Sequence, residues 1–254
     1  MDQRAICQGR KMRSLRITLY ARQAMTLPLA YNELLQGLIY SCWKDNAPQV
    51  HDVGFNTGAS SYRMFTFGPL RGKGSIDSKR RTYRVSGLVD FEVRSPIEEL
   101  LDLAASHLAS QENVRIGAYE LALANLETHD RLLFPQRCVI RTLQPIVAKR
   151  NTDDGHTTYL SPQEPGWLDL LQVNAAGKAE ALGISCDTTL EMLILAPEHL
   201  RKRVTRFKRI YVTGWMGEFI LKCDPLLMQL LYSCGLGSRN SQGFGMFEID
   251  SQPI

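Results

Sequence analysis

The sequence predicts an α+β protein made of two tandem ferredoxin-like domains, each ordered β-α-β-β-α-β in the RRM-like manner. Two observations carry that reading. Apolar positions switch repeatedly between period two and a one-faced helical stripe, and the order of the switches in the first half recurs in the second. Residues 14–21, SLRITLYA, alternate Leu15, Ile17 and Leu19 with other side chains, as a half-buried strand does. Beyond Pro28, Tyr31, Leu34, Leu35, Leu38, Ile39 and Cys42 fall on one face of a helix. Residues 62–67 and 83–93 read as strands around a basic, glycine-rich loop. Ile97, Leu100, Leu101, Ala104 and Leu108 make a second helical stripe, with Ser95 and Pro96 as its cap and first turn. Residues 114–123 then close the unit as a strand.

The second half repeats the plan. Residues 137–146 read as a strand, about 164–182 as a helix, and 189–196 and the long run 207–223 as strands. Asp224 and Pro225 suit the cap and first position of a helix whose apolar residues are Leu226, Leu227, Leu230, Leu231 and Cys234. Gly235 ends that helix, and GFGMFEI is the last strand. The join is expected within residues 127–135, dividing the chain into domains 1–128 and 129–254.

With 254 residues, 44% hydrophobic and 22% charged, the chain has a globular composition and enough length for two cores. No run approaches the ~18 apolar residues of a membrane span, so no membrane partner is expected. The N-terminus lacks the apolar stretch of a secretory signal, and residues 1–11 read either as a loose extension or as an over-called start. Six scattered cysteines with no CxxC pair argue against a zinc site and suit buried thiols in a reducing cytoplasm. No metal or cofactor is expected.

A net charge of +4 is modest, but its distribution is uneven. Residues 71–84 hold six Lys/Arg, among them Arg71 and Lys73, against one acid. In RKRVTRFKR, 201–209, six of nine residues are basic, including Arg201, Lys202, Arg203 and Arg206. Either cluster alone could be a solvated face; two in different halves of the chain point to a polyanion partner.

GLGSRNSQGFG, 235–245, concentrates four glycines in eleven residues. A dinucleotide loop needs a strand, G-x-G-x-x-G and then a helix; here the helix comes first and the strand follows. A Walker loop fails as well, since GPLRGKGS has glycine where Ser/Thr must sit. What remains is a loop between the last helix and last strand. Gly235 and Gly237 are suited to positive φ, Gly243 and Gly245 leave backbone bare, and Arg239 and its polar neighbours supply donors. Such a surface can lie against a phosphate chain.

Gly214-Trp215-Met216-Gly217, then Phe219 and Leu221, then Asp224-Pro225-Leu226-Leu227 and GLGSRNSQGFGMFEI together resemble the C-terminal signature of the CRISPR repeat-processing endoribonucleases of the RAMP superfamily. The resemblance covers nearly the whole chain and is most specific in its last forty residues. It implies metal-independent cleavage of precursor CRISPR RNA by ribose 2′-OH attack, leaving 5′-OH and 2′,3′-cyclic phosphate ends. It also implies CRISPR repeat RNA as the partner, both as precursor and as guide, and leaves room for other Cas proteins of an interference complex and for a homodimer. The alternative within the superfamily is a non-cleaving RNA-binding subunit. A small-molecule-sensing tandem module is a third reading, which leaves the basic clusters unexplained.

Such chemistry needs a proton acceptor, a proton donor and positive charge on the phosphorane. Members similar to this chain place a catalytic histidine in the loop after the first helix and a tyrosine in that helix, which implies His51 and Tyr40. Tyr40 lies about 180° around the helix from Tyr31, opposite the apolar stripe, and is exposed unless something covers it. Of the other histidines, His156 is the main rival; His107 reads as helix surface, His129 falls in the domain connection and His199 precedes the basic run. The family's lysine shortly after the histidine is missing here. Arg63, Arg71, Lys73, Asn56 and Ser60 are the candidates to replace it.

Overall fold

The computed structural model describes residues 12–44, 54–58, 60–131, 133–152 and 156–250. The first unit comprises β1 (Met12–Pro28), α1 (Asn32–Trp43), β2 (Phe55–Thr57), β3 (Ser60–Tyr62), β4 (Thr66–Phe67), β5 (Arg71–Asp77), β6 (Thr82–Arg94), α2 (Glu98–Ser110), β7 (Val114–Ile116) and β8 (Tyr119–Arg131). Its sheet has the order β4-β6-β1-β8-β7, with β5 also on β6 and every pairing antiparallel. The first long strand thus lies between the strands that precede and follow α2, which is the ferredoxin-like arrangement. Leu15, Ile17 and Leu19 are buried with Leu35, Leu38 and Ile39 of α1 and Leu100, Leu101 and Leu108 of α2. The two apolar stripes legible in the sequence therefore cover one face of this sheet. Trp43 fixes the helix pair by donating its indole N–H to the Leu100 carbonyl at 2.8 Å.

The second unit follows with β9 (Arg137–Thr142), a hairpin of β10 (Ala148–Asn151) and β11 (Thr157–Leu160), α3 (Trp167–Ala181), β12 (Glu191–Ile194), β13 (Arg201–Phe207), β14 (Ile210–Met216), β15 (Glu218–Lys222), α4 (Pro225–Cys234) and β16 (Phe247–Ile249). Its sheet, β12-β15-β9-β16, has the same antiparallel plan, with β13 and β14 as a separate hairpin. Asp224 caps α4 as expected, its carboxylate accepting from Leu226 N–H at 2.8 Å.

Several boundaries differ from the sequence reading, each for a local reason. Residues 71–77, expected as loop, form β5 along β6, so Arg71 and Lys73 lie on an exposed strand. The single strand expected over 114–123 is a hairpin, because Gly117 turns the chain with φ of 61°. The run 207–223 is divided at Gly217, where β14 leaves for its hairpin and β15 begins. Helix α2 starts at Glu98; Ser95 accepts from Ile97 N–H ahead of it and donates to the Met64 carbonyl. Strand β8 runs through residue 128, the expected division, to Arg131. Among the described residues no helix is long and apolar enough to cross a membrane.

Candidate nucleic-acid interface

Helix α1 presents Asn32, Gln36 and Tyr40 at four-residue intervals, one side chain above the next on a single helix face. That face meets the glycine-rich stretch of the second unit. Asn32 Nδ2 donates to the carbonyls of Gln242 (3.0 Å) and Gly243 (2.9 Å), and Gln36 Nε2 donates to Ser241 (2.7 Å). Tyr40 continues the row, hydrogen-bonded to Ser241 and Arg63 and packed edge-on against Phe65. The cover that an exposed Tyr40 would lack is thus supplied by Arg63 and Phe65 of its own unit and by Ser241 of the other. Burial raises the Tyr40 pKa above its ordinary 10.0, only partly opposed by Ser241 and the Arg63 charge, so the phenol stays protonated near neutrality.

The glycine stretch is shaped from within. Gly235, Gly237, Gly243 and Gly245 all have positive φ, between 72° and 85°. A methyl at Gly237 would fall 2.6 Å from the Val147 carbonyl oxygen, and one at Gly243 would fall 2.6 Å from the Phe67 ring. The space these glycines leave is filled by protein, and their own residues are buried. The groups left facing outward are Ser238, Arg239, Ser241 and Gln242. Arg239 takes a left-handed φ of 63°, a conformation that costs a non-glycine residue free energy, and Nη1 donates to Gln242 Oε1 at 3.0 Å.

Between α1, the β2–β3 hairpin, β10, α3 and the glycine stretch lies a cleft of about 1110 Å³. Arg63, Lys149, Lys178, Lys208, Arg209 and Arg239 line it, together with Tyr40 and polar side chains, and among the described residues no carboxylate does. Burial lowers the Lys149 pKa, and the nearby Arg239 charge lowers it further. Lys178 reaches under the glycine stretch and donates to the carbonyls of Gly235 (2.7 Å) and Gly237 (2.9 Å). Gly177 of α3 leaves room for the Tyr62 hydroxyl, which sits where a side chain would stand.

Of the residues singled out in the sequence, the cleft brings together Tyr40, Arg63, Ser60 and Arg239. Gly235 and Gly237 turn the loop beneath it, while Gly243 and Gly245 hold it against the first unit and against Leu236. Arg201, Lys202, Arg203 and Arg206 are exposed along β13, whose hairpin tip, Lys208 and Arg209, reaches the cleft. Arg71 and Lys73 do not line it; Arg71 Nε lies 3.5 Å from Asp90 Oδ1 on the first sheet. His51 lies outside the described residues. His107, His129, His156 and His199 are described, and none of them lines the cleft. The sequence gives no signal for Lys149 or Lys178, because Lys149 stands in a two-residue basic step with Arg150 and Lys178 is a lone cation within a helix. Only the tertiary fold sets them beside Arg239. Among the described residues no group of three His, Cys, Asp or Glu side chains could hold a metal ion.

Comparison with known proteins agrees with this architecture. The profile of the family described as CRISPR associated protein Cas6, C-terminal, matches residues 127–249. The chain is 28% identical over 190 residues, 73% of each chain, to a protein named CRISPR-associated endoribonuclease Cas6 1 from Methanocaldococcus jannaschii. It is 24% identical over 237 residues to one named CRISPR-associated endoribonuclease Cas6 from Pyrococcus furiosus, covering 90% of this chain and 85% of the other. A solved structure of a Cas6-related protein from Pyrococcus furiosus superposes with a TM-score of 0.82 at 18% identity, covering 96% of this chain and all of that one. The signature around the last helix, the paired ferredoxin-like sheets and these matches agree: residues 127–249 carry the Cas6 C-terminal family pattern, and the chain as a whole is similar to CRISPR-associated Cas6 proteins.

Proposed function

We infer that the protein is an endoribonuclease that cuts precursor CRISPR RNA within its repeats, without a metal, by 2′-OH attack. The observation that carries this reading is the cleft, in which six basic side chains and, among the described residues, no carboxylate accompany a tyrosine hydrogen-bonded to a guanidinium. Crowded cations repel one another until an anion sits between them, and a phosphate chain is an anion that meets cations contributed by several elements at once. Arg239 lines the cleft wall with its guanidinium oriented by the Nη1 bond to Gln242 Oε1.

The reaction forms a bond from O2′ to phosphorus and breaks the bond from phosphorus to O5′. One proton leaves the 2′-hydroxyl and another arrives on the departing oxygen, giving a 2′,3′-cyclic phosphate and a 5′-OH. Tyr40, kept protonated by its burial, suits donation to oxygen rather than proton removal. Histidine titrates near neutrality, and His51 supplies the proton acceptor in this reading. Its segment leaves α1 shortly after Tyr40 and rejoins at Gly54, where a methyl would fall 2.5 Å from Arg63 Nη1. Both ends of the segment therefore adjoin the Tyr40–Arg63 pair. The Arg63 guanidinium takes the role of the missing lysine, opposing charge on the phosphorane. The exposed cations of β13 and of β5 add phosphate contacts that favour RNA without reading its sequence.

Repeat RNA from the host, incubated in excess EDTA with the wild-type protein and with His51→Ala, tests this directly. The wild type should cut at one position and leave a cyclic phosphate. His51→Ala should slow single-turnover cleavage by about 10²–10⁴-fold while RNA affinity stays within about threefold. Equal loss of binding and cleavage would give His51 a structural role instead. Tight binding with no cleavage by the wild type would favour the non-cleaving RNA-binding subunit, the reading supported by the absence of lysine between His51 and Arg63.

A further inference from the structure

The hairpin of β13 and β14 has a second face, turned away from the cleft. Its register sets the two sides. Phe207 and Val212 turn inward and are buried with Val147 and Phe244, so Arg206 and Tyr211, paired directly across the hairpin, point to the opposite side. Lys202, Val204 and Thr213 share that outer side by the same alternation. Tyr211 is 64% exposed, a large ring left in solvent amid basic side chains. Residues 201–216 contain six Lys/Arg and no acid.

The backbone that carries this ring is anchored at the hairpin tip. Lys208 at the hairpin tip adopts a left-handed φ of 52°, and its backbone N–H donates to Glu33 Oε2 of α1 at 3.1 Å. The tip is thereby pinned to the first unit, and Lys208, Arg209 and Ile210 form part of the cleft wall. Tyr211 stands two residues beyond Arg209, about 7 Å along the strand at ~3.3 Å per residue. That distance matches roughly two stacked nucleotide steps of ~3.4 Å.

We propose that Tyr211 is a stacking platform for one base of single-stranded RNA passing out of the cleft around the hairpin tip, with Arg206 beside it on a phosphate. This rests on the reading that RNA occupies the cleft. The chemistry selects a nucleobase: an exposed flat ring among cations, with no carboxylate on either strand, matches a ligand that alternates aromatic planes with negative charge. A base held there stacks on either ring face whatever its identity, so Tyr211 adds affinity and fixes the register of the strand beyond the cut.

Equilibrium binding of the full chain to repeat RNA, measured across a salt series, tests this with Tyr211→Ala, Tyr211→Leu, Tyr211→Phe and Arg206→Ala. Tyr211→Ala and Tyr211→Leu should each weaken binding by about 5- to 150-fold, the loss of one stacked base, with the salt slope unchanged. Tyr211→Phe should bind as the wild type does, and Arg206→Ala should flatten the slope by about 0.7. A repeat RNA carrying 5-iodouridine at single positions should photocross-link to Tyr211 at one position only. Binding by Tyr211→Leu within twofold of the wild type overturns the proposal and leaves the outer face a phosphate contact. A wild-type chain that binds no repeat RNA overturns the cleft reading and this one with it.

Discussion

Lys178 is held in the interior beneath the glycine stretch, and its environment makes it a proton-linked residue. Burial lowers its pKa from 10.5 to about 8, with Cys234 opposing the shift. A neutral amine keeps two N–H bonds, enough for the carbonyls of both Gly235 and Gly237, so losing the proton costs no hydrogen bond. Between pH 8 and 10.5 the unfolded chain retains a proton that the folded chain has released. By linkage, this group's contribution to stability rises with pH across that window and is lost as pH falls through about 8. The full span corresponds to about 3 kcal/mol. Urea titrations of the wild type and Lys178→Met at several pH values should show the wild type gaining up to that amount over the variant from pH 8 to 10.5. A difference that stays flat with pH would mean that Lys178 is ionised no differently in the folded chain.

At the scale of an element, the glycine stretch shows how far a local pattern can be read. Four glycines, a polar middle and a helix before them are visible in the sequence, and so is the need for unusual dihedrals. Which side of the backbone the glycines clear is not visible, because that depends on segments about 90 to 210 residues away, at Val147, Phe67 and Asn32. The glycines let the chain fold tightly on itself and against the first unit, while Arg239 and its neighbours face the cleft. Gly245→Ala should therefore destabilise the fold itself. Its methyl would sit on the Leu236 carbonyl oxygen at a φ of 74°, and strain plus collision should cost about 2–4 kcal/mol. Gly58→Ala, with φ of 48° and open space around it, carries the strain alone and should cost about 1 kcal/mol. Denaturant midpoints that fall equally in both variants would show that crowding at Gly245 contributes nothing.

At the scale of the whole molecule, the two units are joined by a polar network. Arg94, 1% exposed at the end of β6, bonds Glu92 of its own strand at 2.6 Å and the Phe247 carbonyl of β16 at 2.7 Å. It also pairs with Glu248 and stacks over the Tyr232 ring of α4, 3.9 Å from the centroid. Burial works to raise the Glu92 pKa, but Arg94, Ser14 and Arg16 outweigh it and hold the carboxylate below its ordinary range. Thr66 and Asn32 tie the first unit to Phe244 and Gly243 alongside. Removing one partner strands the others in the interior, so Arg94→Met should cost about 3–5 kcal/mol in a reversible unfolding experiment. Since the cleft needs both units in place, the variant should also bind RNA more weakly at temperatures where it remains folded. Unchanged stability would mean that water replaces the guanidinium at no cost.

The sequence by itself determined the paired ferredoxin-like plan, because strand and helix periodicities are local and each half repeats them within about 120 residues. It also placed Tyr40 on the polar side of α1 and Arg239 between glycines, since helix phase and loop composition need no knowledge of distant segments. The tertiary structure decided what those residues meet. Tyr40 is covered by Arg63 and Ser241, and Lys149 and Lys178 join Arg239 in one cleft. The other candidate cations, Arg71 and Lys73, are carried away from it on β5. The physical reason is that charge and hydrogen-bonding groups act over a few ångströms, while the contacts that bring these together span most of the chain.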